Sequence, residues 1–136
     1  MKSSFCKIYV LIILELLQSC GDLLSDSKNI MIIEKSNSEK SHKLSFFVKE
    51  GGATVGNSYH ISALTVNEEI TDMDVGNVFI ADDHDGAIPD DTSRVKFRWI
   101  HNDTATIAFD HRLRVFKMEA KINGLIILYD TTSLKH

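Results

Sequence analysis

Apolar residues in this chain occur in short runs separated by turn-forming residues, and this spacing limits what the chain can fold into. No stretch keeps the period of about 3.6 residues that marks an amphipathic helix, whereas alternation of apolar and polar residues recurs. The pattern predicts an all-β fold with little helix. We predict about eight strands, at residues 30–35, 43–50, 58–66, 77–81, 94–100, 104–109, 114–122 and 125–129.

The clearest predicted strand covers residues 94–100, where apolar and basic side chains alternate. Alternation places the apolar members on one face, toward a core, and the basic members on the other face, toward solvent. The apolar members are Val95, Phe97 and Trp99, and the basic members are Arg94, Lys96 and Arg98. In the next strand, Ile107 and Phe109 are predicted to face the core.

Turn residues indicate how the strands are connected. Asn123-Gly124 is the dipeptide that most favours a type I′ turn, so a hairpin is predicted between 114–122 and 125–129. His101-Asn102-Asp103 predicts another hairpin between 94–100 and 104–109. Strands joined in this way predict a small antiparallel meander. Its apolar face must be covered, which predicts a sandwich or a rolled sheet.

Length and composition narrow the class of protein. A chain of 136 residues has room for one domain, and 43% hydrophobic and 25% charged residues are typical of a globular one. The formal net charge of −4 supplies no overall attraction for nucleic acid, which we therefore do not expect as a partner.

Residues 1–19 have the composition of a secretory signal. Lys2 and Lys7 precede an apolar run over residues 8–17, which Glu15 interrupts. A permanent membrane-spanning helix needs about 20 apolar residues. The run is shorter than that, and it fits the apolar region of a cleaved signal peptide, which has about 7–15 residues.

The sequence Leu17-Gln18-Ser19-Cys20 resembles the bacterial lipobox, in which the cysteine thiol receives a diacylglycerol. We therefore predict a lipoprotein-type signal peptide at 1–19, lipidation of Cys20, a tether at 20–29 and an all-β domain at 30–136. Cleavage would remove Cys6, so no disulfide is expected in the mature chain. Two alternatives stay open: Cys20 is an ordinary thiol beside a signal anchor, or the chain is cytosolic with a buried N-terminal helix.

Residues 67–91 contain many carboxylates and no Lys or Arg. Clustered carboxylates on a loop are the ligands that calcium prefers, although the spacing is not that of an EF-hand. A histidine among them could ligate zinc or act as a base. The candidate metal or partner-binding residues are Asp82, Asp83, His84, Asp85 and Asp90. The alternative is a solvated acidic loop that protects a sheet edge. We expect no cofactor, with calcium as the alternative.

Residues 94–121 are rich in basic side chains. Such a face could bind an anionic partner, for example lipid headgroups beside an anchored domain. The alternatives are that these side chains are merely solvated, or that they pair with the acidic loop of the same molecule. The candidate residues for an anionic partner are Arg94, Lys96, Arg98, Arg112 and Arg114.

Several fragments together resemble a family of short, uncharacterised bacterial proteins that carry an N-terminal signal or membrane segment. The resembling fragments are Gly51-Gly52-Ala53-Thr54, Gly76-Asn77-Val78-Phe79-Ile80-Ala81-Asp82 with Gly86 after it, residues 95–99, and residues 110–116, which include Arg114-Val115-Phe116. The family's Ser-Pro-Asp-Gly-Lys turn is replaced here by residues 38–43, so the first hairpin is expected to differ. The resemblance implies a fold and an export route, and it implies no activity.

These features together predict an exported, lipid-anchored β domain that acts as a binding or envelope interaction module. Its predicted location is the bacterial cell envelope, membrane-anchored and facing the periplasm or the exterior, with the membrane and a protein as partners. No G-x-S-x-G elbow or H-E-x-x-H spacing is present, so we do not expect an enzyme. Two alternatives are an immunity-type protein that blocks a basic toxin with its acidic loop, and a metal-dependent hydrolase.

Overall fold

A computed structural model describes residues 28–51, 56–88 and 91–134 of the chain. These residues form nine strands in two sheets and one short 3-10 helix at Thr92–Arg94, which confirms the predicted all-β class. The strands are β1 (Asn29–Ser36), β2 (His42–Lys49), β3 (Ser58–Thr65), β4 (Phe79–Asp82), β5 (Val95–Trp99), β6 (Thr104–Phe109), β7 (Arg114–Met118), β8 (Lys121–Ile122) and β9 (Leu125–Asp130). The predicted signal peptide, Cys20, most of the tether and Asp90 lie outside the described residues.

The first sheet is an antiparallel sheet with the strand order β1-β2-β3-β4-β7. Its first four strands form the predicted meander. The first hairpin closes without a proline-glycine turn. The Asn37 side-chain oxygen accepts from the backbone N–H of Ser41 at 2.9 Å, and Lys40 adopts a positive φ of 52°.

The second sheet has the order β5-β6-β9-β8 and differs from a pure meander, because β6 and β9 run parallel. The predicted strand 114–122 is divided: β7 pairs with β4 in the first sheet, and β8 belongs to the second. The predicted turn at Asn123-Gly124 forms, with φ of 50° and 79° as a type I′ turn requires. β9 pairs with β8 on one side, through two residue pairs, and along β6 on the other.

One cluster of buried apolar side chains joins the two sheets. Phe79 of the first sheet lies 5.0 Å from Phe109 of the second, measured between ring centroids. The predicted core positions Val95, Phe97 and Ile107 are all buried in this cluster. Burial of one face of each sheet is the main source of stability for an architecture of this kind.

One predicted orientation is wrong. Arg94 was expected on the solvent face of a strand with Lys96 and Arg98, but it ends the 3-10 helix, is 7% exposed and contacts Asp110. The reason is that the strand begins one residue later, at Val95, so strand alternation does not apply to Arg94. Lys96 and Arg98 are exposed as predicted.

Residues 66–77, which we call the crossing loop, pass over the outer face of the first sheet. The loop leaves β3 at Thr65, reaches the opposite end of the sheet, where Asn29 Nδ2 donates to the carbonyl of Asp74 at 2.9 Å, and returns along β3. There Gly76 N–H donates to His60 Nδ1 at 3.0 Å, and Asn77 N–H donates to Ser62 Oγ at 3.2 Å. This half of the predicted acidic segment therefore covers a sheet face, and its last residue also occupies the edge of β3, where the Asn77 side-chain amide pairs with the N–H and carbonyl of Ala63.

Within the described ranges, no helix is long and apolar enough to cross a membrane.

Candidate functional site

Arg114 joins the predicted acidic and basic groups. It lies opposite Asp82 in the β4–β7 ladder, and its Nε donates to Asp82 Oδ1 at 3.0 Å. Its Nη2 also donates to Asp85 Oδ1 at 2.9 Å. These carboxylates raise the pKa of Arg114, first because Asp82 accepts hydrogen bonds from its side chain and then because Asp85 does. Of the alternatives for these side chains, internal pairing between the two charged regions is what Arg114, Asp82 and Asp85 adopt.

The other candidate metal ligands occupy different positions. Asp83 is buried, accepts the Gly86 N–H at 2.9 Å and lies so close to Gly56 that a Cβ there would be 2.0 Å from its Oδ1. His84 is exposed and has a positive φ of 59°. In residues 28–51, 56–88 and 91–134, no three His, Cys, Asp or Glu side chains are arranged to hold a metal ion.

Asp110 pairs with two further members of the predicted basic group. It is fully buried at the end of β6 and accepts from Arg94 Nη1 at 2.5 Å and from Arg112 Nη2 at 2.6 Å. The hydrogen bond from the Arg112 side chain is the main reason that the pKa of Asp110 lies well below its usual range, and Arg94 contributes. The sequence analysis included Asp110 in the resembling fragment 110–116 but gave it no role, because nothing local indicates that it is buried.

Two members of the predicted basic group remain on the surface. Lys96 and Arg98 project from the outer face of β5, and within the described part of the chain neither forms an ion pair. They border an open groove with a volume of about 390 Å³, which we call the cationic groove. Its lining residues are Lys96, Phe97, Arg98, Thr106, Ala108, Asp130, Ser133 and Leu134.

Asp130 is the acidic residue of this groove, and the adjoining turn holds its carboxylate. Asp130 Oδ1 accepts from the Thr132 N–H at 2.7 Å and from Thr132 Oγ1 at 2.8 Å. The backbone hydrogen bond from Thr132 is the largest cause that lowers the pKa of Asp130 to about 2. The carboxylate is thus ionised at neutral pH and directed to its own turn.

The edge strand β1 carries an exposed apolar surface. The sequence analysis predicted the strand but did not identify this surface. Residues 30–33, which we call the open edge, are Ile30, Met31, Ile32 and Ile33, and each is between 38% and 42% exposed. Within the described residues β1 pairs with β2 alone. The register shifts between Met31 and Ile33, which marks a β-bulge. The continuous aliphatic run at the start of the domain was the available signal.

Trp99 sets the limit of the open edge. Its indole Nε1–H donates to the Lys35 carbonyl at 2.9 Å, so that carbonyl is already occupied by a side chain of β5. The turn after β5 also contacts the β1–β2 hairpin, where Asn37 Nδ2 donates to the Asn102 carbonyl at 2.9 Å. These contacts hold the C-terminal end of β1 to the second sheet, and the exposed aliphatic residues 30–33 lie toward its other end.

His60 is a buried histidine that the sequence analysis did not single out. Burial, and then the charge of Lys49, lower its pKa to about 4. Its Nδ1 accepts from Gly76, so the neutral ring carries its proton on Nε2, which lies 2.8 Å from Ser58 Oγ. The imidazole therefore connects the crossing loop to β3 in its neutral form.

Comparisons with protein-family models, with curated proteins and with solved structures find no match to this chain.

Proposed function

We propose that the protein is an exported, lipid-anchored interaction module that binds a protein partner through the open edge of β1. The observation that carries this proposal is the run of four aliphatic residues, all about two-fifths exposed, on an edge strand. The lipidation site that we predict, Cys20, precedes this strand by a short tether.

An apolar sheet edge favours strand addition as the mode of binding. The edge offers unpaired backbone N–H and C=O groups, and a partner segment in extended conformation can pair with them. Because successive side chains point to opposite faces, aliphatic residues along the edge contact the partner on both sides of the extended sheet. The bulge and Trp99 keep the pairing short and so oppose unlimited edge-to-edge association.

Site-specific photo-crosslinking in the producing cell tests the binding surface. A photoreactive amino acid at Ile32 is expected to give a discrete crosslinked species, and one at Met73, which is 88% exposed on the crossing loop, is expected not to. Ile33→Lys is expected to abolish the crosslink from position 32, because a charge on an edge strand blocks pairing. Met73→Lys serves as the matched control. Equal crosslinking in the two charged variants would contradict the proposal.

Lipid anchoring has its own test. Cys20→Ser is expected to abolish the labelled fatty acid that the unsubstituted chain incorporates in cells, because a serine hydroxyl does not accept the diacylglycerol in place of the thiol. Globomycin, which inhibits the lipoprotein signal peptidase, is expected to leave the unprocessed precursor. If the unsubstituted chain takes up no labelled fatty acid, the anchor is rejected, and the binding surface on β1 is still judged by crosslinking.

The two alternatives would use the acidic segment. A metal-dependent hydrolase would need its cation to displace Arg114 from Asp82 and Asp85. An immunity-type protein would present to a basic toxin the carboxylates that Arg114 does not bind, which include those of the crossing loop. Calcium titration followed by Trp99 fluorescence and thermal melting separates the hydrolase from the interaction module, for which we expect no shift.

A further inference from the structure

We propose that the outer face of the second sheet docks on an anionic lipid bilayer, an inference that rests on the proposed membrane anchoring. The sheet presents three parallel rows of side chains on this face. β5 contributes the cations Lys96 and Arg98, β6 contributes the small residues Thr106 and Ala108, and β9 contributes aliphatic residues. The aliphatic residues, Ile126 and Leu128, are 39% and 48% exposed.

The register of the sheet fixes how these rows face each other. Arg98 pairs with Thr106, which pairs in turn with Leu128. The small residues of β6 therefore lie between the cationic side chains of β5 and the aliphatic side chains of β9. A phospholipid has the matching properties, because an anionic phosphate adjoins apolar chains. Arginine can bind a phosphate through two parallel hydrogen bonds, and aliphatic side chains can enter the boundary between headgroups and acyl chains.

A third cation extends the face. Lys121 of β8 is exposed and pairs with Ile126 in the ladder, so its side chain lies on the same side of the sheet. Asp130 adds a negative charge to this face. Its carboxylate accepts a hydrogen bond from the Thr132 N–H in the adjoining turn. The face is thus locally positive in a chain whose formal net charge is −4.

The charges of the molecule are separated in the direction that docking requires. The acidic crossing loop covers the outer face of the first sheet, and the cationic face is the outer face of the second. Because the core joins the inner faces, the two outer faces point away from each other. An anionic surface therefore attracts one side of the domain and repels the other, which orients it.

The predicted tether is long enough for this orientation. Nine peptide units separate Cys20 from Asn29, and an extended chain of that length spans at most about 30 Å. A domain anchored at Cys20 can therefore place its second sheet against the same bilayer.

Vesicle flotation of the full chain carrying Cys20→Ser tests the docking surface. The vesicles are phosphatidylcholine alone or phosphatidylcholine mixed with phosphatidylglycerol, and the readout is the difference in binding between them. The N-terminal segment, with Lys2, Lys7 and the apolar run at 8–17, is identical in all variants, so its contribution cancels when the variants are compared on the same vesicles. We expect binding that requires phosphatidylglycerol and decreases with salt.

Matched double variants identify the face responsible. Lys96→Gln/Arg98→Gln is expected to weaken binding to the anionic vesicles by at least fivefold, and by about thirtyfold if both cations act fully. Lys28→Gln/Lys40→Gln removes the same charge from exposed positions before and after β1 and is expected to change binding less than twofold. Leu128→Gln is expected to weaken binding without altering its salt dependence. Equal losses in the two double variants would overturn the proposal.

Other outcomes are equally decisive. Binding of glycerol 3-phosphate that depends on Lys96 and Arg98, without vesicle binding, would overturn membrane docking in favour of a small-anion site. Because these vesicle measurements use unlipidated protein, they are independent of the anchor. Vesicle binding by a chain that takes up no labelled fatty acid at Cys20 would retain docking and reject lipidation, and the reverse result would reject docking alone.

Discussion

Asp110 is a single residue that changes the functional role assigned to several basic residues. Its buried carboxylate pairs with Arg94 and Arg112, which sequence reasoning had assigned to an anion-binding surface. Asp82 and Asp85 do the same for Arg114. The effective cationic surface is therefore smaller than the number of basic residues suggests, and of the five predicted candidates it keeps Lys96 and Arg98 of β5.

Asp110→Asn is expected to lower the free energy of unfolding by about 3 kcal/mol or more, because the nearly buried Arg94 keeps its charge and loses the ionised carboxylate that its Nη1 contacts. Urea denaturation measures the loss. Asp103→Asn, at an exposed position, is the control and is expected to change stability by less than about 0.5 kcal/mol. A loss below about 1 kcal/mol for Asp110→Asn would show that the pair contributes little.

His60 is expected to make the fold sensitive to mild acid. Its pKa is lowered to about 4 in the folded protein, so between the unfolded value of 6.5 and that value the unfolded state binds more protons. The free energy of unfolding should therefore fall by about 2 kcal/mol from pH 7 to pH 5, as protonation opposes the hydrogen bond from Gly76.

Denaturation of His60→Gln over the same pH range checks this assignment. The variant is expected to lose most of the pH dependence, whereas His101→Gln, at an exposed position, is expected to keep it. A slope that is equal in the two variants would assign the acid sensitivity to other groups.

At the scale of elements, local pattern identified strands well and their partners less well. The turn at Asn123-Gly124 formed as predicted, because its two positive φ angles depend on the dipeptide itself. The division of 114–122 between two sheets was missed, because alternation continues through Glu119 and Ala120 while the hydrogen-bonding partner changes. The Glu119 N–H donates to Val78 of the first sheet, and the Ala120 carbonyl accepts from Ile127 of the second.

The start of β4 depends on a close backbone approach at Gly76. A Cβ at this position would lie 2.5 Å from the carbonyl oxygen of Phe79 and 3.1 Å from that of Ile61. Gly76→Ala is therefore expected to lower the free energy of unfolding by about 2 kcal/mol or more, because backbone must move. Thermal melting measures the effect.

Gly86→Ala is the control for this prediction. Gly86 has a φ of 81° and open space around its Cα, so the substitution adds only the backbone penalty of about 1 kcal/mol. If Gly76→Ala proves no more destabilising than Gly86→Ala, the close approach at the start of β4 is not required.

At the scale of the whole molecule, the outer faces of the two sheets differ in charge. One outer face lies under the acidic crossing loop, and the other presents Lys96, Arg98 and aliphatic residues of β9. The open edge of β1 lies on the border of the first sheet, so the proposed partner and the proposed bilayer use different surfaces.

The sequence by itself determined the class of fold, most strand positions and the inward-facing residues of β5 and β6. These depend on alternation and turn chemistry, which are properties of neighbouring residues. Tertiary structure alone decided which charges are paired, that β6 and β9 run parallel, and that residues 30–33 form an open edge. These depend on contacts between residues far apart in the chain, such as Arg114 with Asp82. The local sequence pattern does not indicate which distant residues meet.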